Sequence, residues 1–177
     1  MPERYRLPIV ALVALVVVVA VGGAIVVIGA RGSTSSPSPV ATASPSPNDP
    51  TSTPEGVVRA FFTAYGRGRQ TDDPTLVLPF ATGPKSDAYL SVAGFLNGQK
   101  AVGIASVLTV QQLTQFTVQE QGALAHVTFQ YVEGGYDIDL KTGKPRESPS
   151  ILPSYQVTAT VHRVGSQWLV DSYSSRS

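Results

Sequence analysis

Acid–base chemistry in this chain depends on few side chains, because its 177 residues include two histidines and no cysteine. The best acid–base pair is Asp171 with Tyr173, two apart in the last predicted strand and therefore on one face of it. If that face lined an apolar cavity, burial would raise the pKa of the carboxyl group towards the range useful for proton transfer. The alternative is an exposed polar strand end. We assign no catalytic residue on these grounds and keep the two as candidates.

The two histidines do not extend this pair. His126 and His162 alternate with Thr and Gln in predicted strands, on the faces opposite the large apolar residues. They would lie outside a pocket lined by the apolar rows, which favours solvated sheet positions over catalytic bases. Asp72 and Asp73 stand directly before Pro74, and this cluster is typical of a helix start.

The segment from Gly134 to Pro153 contains Asp137 and Asp139, spaced as at the start of a calcium loop. Lys141 takes the next alternate position and no Glu stands at the twelfth, so the later ligands are missing. A strand, a turn and a Pro-rich loop explain the segment better, and the loop is either partner-facing or a passive insertion. Zero Cys excludes disulfides and thiolate metal sites, and we expect no metal and no cofactor.

The N-terminal segment predicts a membrane anchor. Residues 7–30 carry no charge, and about 20 apolar residues in a helix span a bilayer. The alternative, a cleaved signal, has a shorter apolar region of about 7–15 residues. Arg4 and Arg6 precede the span and only Arg31 follows it closely, so residues 1–6 are expected to be a cytoplasmic stub. The prediction is a single-pass cell-membrane protein with an extracellular C-terminal domain.

Residues 31–53 predict a disordered stalk, because they are rich in Pro, Ser and Thr and almost free of large apolar side chains. Residues 54–177 then have the size of one ordinary domain. The net charge of +1, with 14% charged residues and no basic patch, argues against nucleic acid as a partner.

The first half of this domain has helical periodicity. A hydroxyl, a proline and a carboxylate at Thr53-Pro54-Glu55 start a helix, which Gly66 and Gly68 are expected to end. Asp73-Pro74 opens a short helical turn that Pro79 stops, and a third helix is predicted over 85–97.

After Gly103 the period changes to two, which predicts strands. The fold class is therefore α+β, with three N-terminal helices packed on a curved, mostly antiparallel sheet of four or more strands. The face rich in Gln, Thr and His is left for water or a partner. The predicted strands cover 107–112 and 115–120 (or one bent strand), 123–133, 136–140, 155–164 and 167–173.

This order of elements, with PEGVVRAFFTAYGRG, DAYLSVAGFL and strands ending in GSQWLVDSY, resembles the nuclear transport factor two-like superfamily, also called cystatin-like or polyketide-cyclase-like. The resemblance covers residues 54–173 and implies a cone-shaped domain enclosing a pocket. Some members are ketosteroid isomerases, dehydratases or polyketide cyclases, whereas many others only bind or dimerise. The apolar row expected to line the pocket comprises Phe61, Phe62, Tyr65, Tyr89, Val127, Phe129 and Tyr131.

Two functions of different class follow. The favoured one is a membrane-anchored, non-enzymatic binding or assembly module with a protein partner or self-association. Its layout resembles the bitopic assembly subunits of type IV secretion machines and membrane-anchored proteins of mammalian-cell-entry lipid importers. The style of the anchor and stalk suggests a bacterial origin. The alternative is a tethered small-molecule-binding or acid–base enzyme domain. The alternative requires an open cavity, whereas the assembly function predicts that bulky side chains fill it.

Overall fold

The structure, a computed structural model, describes residues 49–176. Two α-helices, α1 (Pro54–Thr71) and α2 (Asp87–Ala101), are accompanied by short 3-10 helices at Pro50–Ser52 and Pro74–Phe80. Five strands follow, and helices before a sheet confirm the predicted α+β class. The strands are β1 (Ile104–Gln121), β2 (Leu124–Asp139), β3 (Ser150–Ile151), β4 (Tyr155–Val164) and β5 (Gln167–Arg176).

Helix α1 begins as predicted but ends later. The Thr53 side chain accepts a hydrogen bond from the Gly56 N–H, and Pro54 takes the first helical turn. Gly66 and Gly68 do not end the helix, which continues to a left-handed Asp72. Both glycines instead permit close packing. A Cβ at Gly68 would lie 2.9 Å from the backbone oxygen of Asp73.

Helix α2 is displaced from its predicted bounds. The Ser86 side chain accepts from the Tyr89 N–H and caps the first turn. The predicted closure at Asn97-Gly98 is wrong, because the helix continues to Ala101 and its amide ladder ends at Val102. Gln99, in this last turn, is buried among neighbouring elements.

The sheet is antiparallel in the order β1-β2-β4-β5, and β3 pairs with the far end of β2. Strand β2 continues through Gly134 and Gly135 to Asp139, so the separately predicted strand over 136–140 belongs to it. Gly135 is required there, because a Cβ would lie 2.0 Å from the Val107 carbonyl oxygen. The exposed residues 140–154, here named the excursion, then return the chain to β4.

Three irregularities bend the strands. In β1 the register shifts between Leu108 and Val110 and again between Thr114 and Thr117, so the predicted single bent strand is correct. Gln115 at the second shift has a φ of 55°. In β5, Thr160 pairs with Ser172 but Val161 pairs with Val170, which leaves Asp171 as an extra residue.

The core lies between the helices and one face of the sheet. Apolar residues recur at helical spacing in α1 and α2 and at every second position in β2 and β4, and these faces meet. Burial of these side chains is the main source of stability of the domain. Fully buried members include Val57, Val58, Phe61, Val92, Leu96, Val127, Val157, Val161 and Val170.

The predicted cytoplasmic stub, membrane span and most of the stalk lie outside the described residues. Within residues 49–176, no helix has the length and apolar character needed to cross a membrane.

Candidate functional site

The space between the helices and the sheet is largely filled. Of the row predicted to line a pocket, Phe61, Val127 and Phe129 are at most 1% exposed, and Tyr89 packs against the same core from its edge. The ring centres of Phe62 and Phe129 are 5.2 Å apart at an interplanar angle of 76°. Edge-to-face packing of this kind leaves no room for a ligand in the middle of the domain.

A small cavity of about 100 Å³ remains between the second half of α1 and strands β2, β4 and β5. We name it the tyrosine cavity. Phe62, Tyr65 and Tyr131 of the predicted row do line it. Its full lining is Phe62, Tyr65, Tyr131, Glu133, Tyr155, Val157, Tyr173 and Ser175.

Local structure explains why these side chains meet. Phe62, Tyr65 and Arg69 follow at spacings of three and four, so they share one face of α1. Tyr131 and Glu133 extend the inward row of β2. Tyr155 opens β4 directly opposite Tyr131 in the sheet register. Their ring centres are 5.5 Å apart.

Glu133 carries the charge of the site. Its Oε2 lies 2.6 Å from Nη1 of Arg69, and its Oε1 accepts a hydrogen bond of 3.3 Å from the Tyr155 hydroxyl. The Arg69 guanidinium also lies 5.9 Å from the Tyr65 ring centre and 5.3 Å from that of Phe95. Nε of Arg69 is buried without a hydrogen-bond partner among the described residues.

Gln111 of β1 holds the helix and the sheet together at this point. Its Nε2 donates to the Phe62 carbonyl at 2.8 Å and to the Tyr131 hydroxyl at 2.9 Å. Gly66 makes room for it, because a Cβ there would lie 2.8 Å from the Gln111 side-chain oxygen. The position of Tyr131 is therefore fixed by a half-buried amide as well as by packing.

The four phenols of the cavity are neutral at physiological pH. Burial raises the pKa of Tyr65, Tyr131 and Tyr155 well above the usual 10.0, and burial also raises that of Tyr173. The cavity therefore offers aromatic rings, neutral hydroxyl groups and a single carboxylate.

A second cavity of about 190 Å³ lies on the other side of Glu133 and is named the acidic cavity. Its lining contains one guanidinium group, that of Arg69, and three carboxylates, those of Glu133, Asp137 and Glu147. A third, open depression of about 490 Å³, the apolar groove, is lined by residues 152–155 and Ser175. Glu133 thus borders two cavities, and the tyrosine cavity shares lining residues with the groove.

The predicted acid–base pair is not brought together. Because Asp171 is the extra residue of β5, Tyr173 falls opposite Ala159 on the core side, and its ring centre lies 5.4 Å from that of Phe62. Asp171 instead accepts a 2.7 Å hydrogen bond from the Thr82 hydroxyl. The shared face predicted for Asp171 and Tyr173 is therefore wrong.

The histidines face away from the core, as predicted. His162 is exposed, with Nε2 at 4.0 Å from Oδ2 of Asp171. His126 is half-buried on the outer face, where its Nδ1 lies 3.4 Å from the Thr160 hydroxyl. Neither lines the tyrosine cavity.

The remaining aspartates serve local structure. Asp73 starts the 3-10 helix by accepting from Thr75, but Asp72 ends α1, so the predicted helix-start cluster is half wrong. Asp137 accepts from the Ser106 hydroxyl at 2.7 Å. Asp139 accepts from the Lys141 and Thr142 amides in the predicted turn. Within residues 49–176, no group of three or more acidic or histidine side chains is placed to hold a metal ion.

Sequence reasoning missed the polar members of the site, namely Arg69, Gln111, Glu133 and Tyr155. Glu133 continues the alternating row that ends with Tyr131, and this period was the available signal. Arg69 stands four residues after Tyr65 but beyond the predicted helix end, so it was not placed on the same face. Nothing in the sequence pairs these residues with each other.

No protein-family model matches the chain, and no curated protein matches it with significance. Solved structures do share its fold. The intermembrane space region of chloroplast protein ARC6 aligns with a TM-score of 0.53 and 16% identity, over 68% of this chain and 92% of that one. At this identity the similarity shows a common fold and says nothing about activity.

Other matches have TM-scores below 0.5. Rv3472 of Mycobacterium tuberculosis, described as of unknown function, gives 0.48 at 12% identity, over 68% of this chain and 73% of its own. A ketosteroid isomerase-like protein of Erwinia carotovora atroseptica gives 0.47 at 17%, over 72% and 95%. Further matches are described as nuclear transport factor 2-like or as having a cystatin-like fold.

Proposed function

We propose that the chain is a membrane-anchored, non-enzymatic binding or assembly module that exposes its α+β domain to partner proteins outside the cytoplasm. The observation that carries this proposal is the filled interior. Pockets that enclose a small-molecule substrate measure about 300–1,000 Å³. The tyrosine cavity, at about 100 Å³, is well below that size.

The chemistry of the site also favours binding over catalysis. The carboxylate of Glu133 is paired with Arg69 at 2.6 Å and accepts a hydrogen bond from the Tyr155 hydroxyl, so both of its oxygens already have partners within the domain. Asp171 and Tyr173, the acid–base candidates, lie on different sides of β5. The alternative of a small-molecule-binding domain is favoured by one observation, the four tyrosines around the residual cavity.

The excursion is the surface we assign to the partner. Ile151 and Leu152 are 66% and 48% exposed there, and Leu140 at its start is 43% exposed. Apolar side chains on an irregular protrusion from a rigid sheet are typical of binding loops. The ARC6 region offers a precedent for the fold in a compartment between membranes.

Site-specific photo-cross-linking in intact cells tests the partner. A photoreactive side chain at Ile151 is compared with one at Val102, which is equally exposed at 66% but lies at the end of α2. We expect one discrete adduct from Ile151, lost on Leu152→Asp, and none from Val102. The same adducts from both positions, or none from either, would contradict the proposed surface.

Anchoring is tested separately. The full-length chain is expected to remain in the membrane pellet after an alkaline carbonate wash, with its C-terminal domain open to protease added outside spheroplasts. Deletion of residues 7–30 is expected to release it. A wild-type chain in the soluble fraction would overturn the anchor, whatever the cross-linking shows.

A further inference from the structure

The tyrosine cavity has the construction of an aromatic cage, and we propose that it binds a methylated ammonium group, the head of a small organic cation. This goes beyond the proposed function, which requires no ligand in the cavity. The inference depends on four properties of the cavity, namely its walls, its size, its charge and its connection to the apolar groove.

The walls are aromatic on several sides. Phe62 lies at the centre, with the ring centres of Tyr131 and Tyr173 both 5.4 Å away and that of Tyr65 at 6.4 Å. The planes of these rings are inclined to that of Phe62 by 53° to 74°, so the rings are not stacked in parallel, and all four line the cavity together with Tyr155. A cation within about 6 Å of a ring centre is attracted by the electron density of the ring face.

The size suits one small group. At about 100 Å³ the cavity is well below the roughly 300–1,000 Å³ of pockets that enclose a drug-sized ligand. A nitrogen with its methyl groups fits that volume, whereas a fused ring system does not. The ligand is therefore held by one end.

The charge around the cavity favours a cation. Glu133 contributes the carboxylate of the wall, and its counter-ion Arg69 lines the acidic cavity instead. The acidic cavity adds Asp137 and Glu147, so three carboxylates and one guanidinium group line it. A quaternary ammonium, the fully methylated case, carries no N–H donor, so aromatic ring faces are sufficient to surround it.

The apolar groove gives access. Tyr155 and Ser175 belong to both the cavity and the groove, which Leu152 and Pro153 extend along the surface. The rest of the ligand leaves the cage by this route. A methylated ammonium reaches the site either as a free small molecule or as a phosphocholine lipid headgroup, and both present the same chemistry.

Titration of the full-length chain in a maltoside detergent, which carries no ammonium group, tests the cage. The probes are tetramethylammonium, choline and 3,3-dimethylbutan-1-ol, the neutral isostere of choline, followed through the NMR signals of ¹³C-labelled tyrosine rings. We expect the cations to shift these signals and the isostere to bind at least about tenfold more weakly. Equal binding of choline and the isostere, or no binding of any probe, would overturn the proposal.

Two pairs of variants locate the site. Tyr155→Phe keeps the ring and is expected to keep choline binding within about threefold, whereas Tyr155→Leu loses about tenfold. Should the Leu variant not fold, Ser175→Trp blocks the mouth from an exposed position, with Ser174→Trp as its neighbour outside the lining. Equal losses within either pair would overturn the cage.

A further titration with dihexanoylphosphatidylcholine distinguishes the two sources. Tighter binding than choline would identify a lipid headgroup as the source, and weaker binding would identify a free small-molecule cation. Both results support the shared chemistry, whereas failure of both ligands overturns it. The cross-linking experiment at Ile151 is unaffected by either outcome, so the two proposals fail separately.

Discussion

Arg69 and Glu133 form an ion pair across 64 residues of sequence, with a distance of 2.6 Å and side chains only 15% and 14% exposed. Removing one partner of such a pair leaves the other charge buried and unpaired. We expect Glu133→Gln to lower the free energy of unfolding by about 3 kcal/mol, measured by urea denaturation.

The matched control is Glu55→Gln, which breaks the exposed pair of Glu55 with Arg59. That change should cost no more than about 0.5 kcal/mol, because exposed pairs in a helix contribute little. Equal losses in the two variants would contradict a buried role for Glu133.

Asp72 is expected to destabilise the fold at neutral pH. Both oxygens of its carboxylate are buried without hydrogen-bond partners in the described part of the chain, and burial raises its pKa above 3.8. The folded state therefore favours the protonated form. The stability that the protonated Asp72 carboxyl group contributes is therefore fully present below its pKa in the unfolded chain. This stability is lost as the pH rises through its pKa in the folded chain. Asparagine tolerates the left-handed backbone at this position. Asp72→Asn should therefore raise the free energy of unfolding by about 1 kcal/mol at pH 7 and change it little at pH 3.

The neighbouring Asp73→Asn serves as its control. Thr75 donates to the Asp73 carboxylate through its hydroxyl and its backbone N–H, and these bonds lower the Asp73 pKa. The stabilisation by these bonds is present above the pKa of Asp73 in the unfolded chain and is lost as the pH falls through its pKa in the folded chain. Asp73→Asn is therefore not expected to raise the stability at pH 7. A pH series of thermal melts that gave the same sign for both variants would refute this assignment.

Gly135→Ala should be among the most disruptive single substitutions in the domain. The added Cβ would meet the Val107 carbonyl oxygen at 2.0 Å, and two paired strands cannot separate locally without losing their ladder. A loss of about 3 kcal/mol is expected. Gly94 lies in the exposed middle of α2, and a Cβ added there would have no neighbouring atom within 4 Å. Gly94→Ala should therefore raise the free energy of unfolding by about 0.5–1 kcal/mol. Similar chemical denaturation midpoints would contradict this contrast.

The tyrosine cavity should limit stability in alkali. Burial raises the pKa of Tyr65, Tyr131 and Tyr155 above 10.0, so the folded chain keeps protons that the unfolded chain releases. Stability is therefore lost as the pH rises above about 10. Spectrophotometric titration near 295 nm should show these phenols ionising only as the chain unfolds. Tyr155→Phe should remove one phenol from that late step, and a smooth titration of all tyrosines without unfolding would refute it.

Sequence periodicity predicted those parts of the fold in which local pattern and packing agree. Strand β4 was predicted with its observed bounds, Tyr155–Val164, because it alternates without interruption. Helix ends were predicted less well, since glycine is a common stop signal but also a residue that permits close approach. Gly66 and Gly68 serve the second purpose, against Gln111 and Asp73.

The site was predicted only in its apolar part. Asp171 is an extra residue in β5, so every side chain beyond it points to the face opposite to the one predicted. The alternation of apolar and polar residues gives no sign of such a bulge. The pairing of Arg69 with Glu133 joins distant segments, and only the packing of α1 against β2 brings them together.

The two register shifts of β1 have a consequence for solubility. This strand of 18 residues has a partner on one side only within residues 49–176, so its other side presents unpaired amides and carbonyls. The shifts divide it into the runs 104–108, 110–114 and 117–121. Each run is shorter than the six- or seven-residue segments that stack into cross-β fibrils. The distortion at Gln115 therefore gives the exposed margin of the sheet a shape that other copies of the chain cannot extend in register.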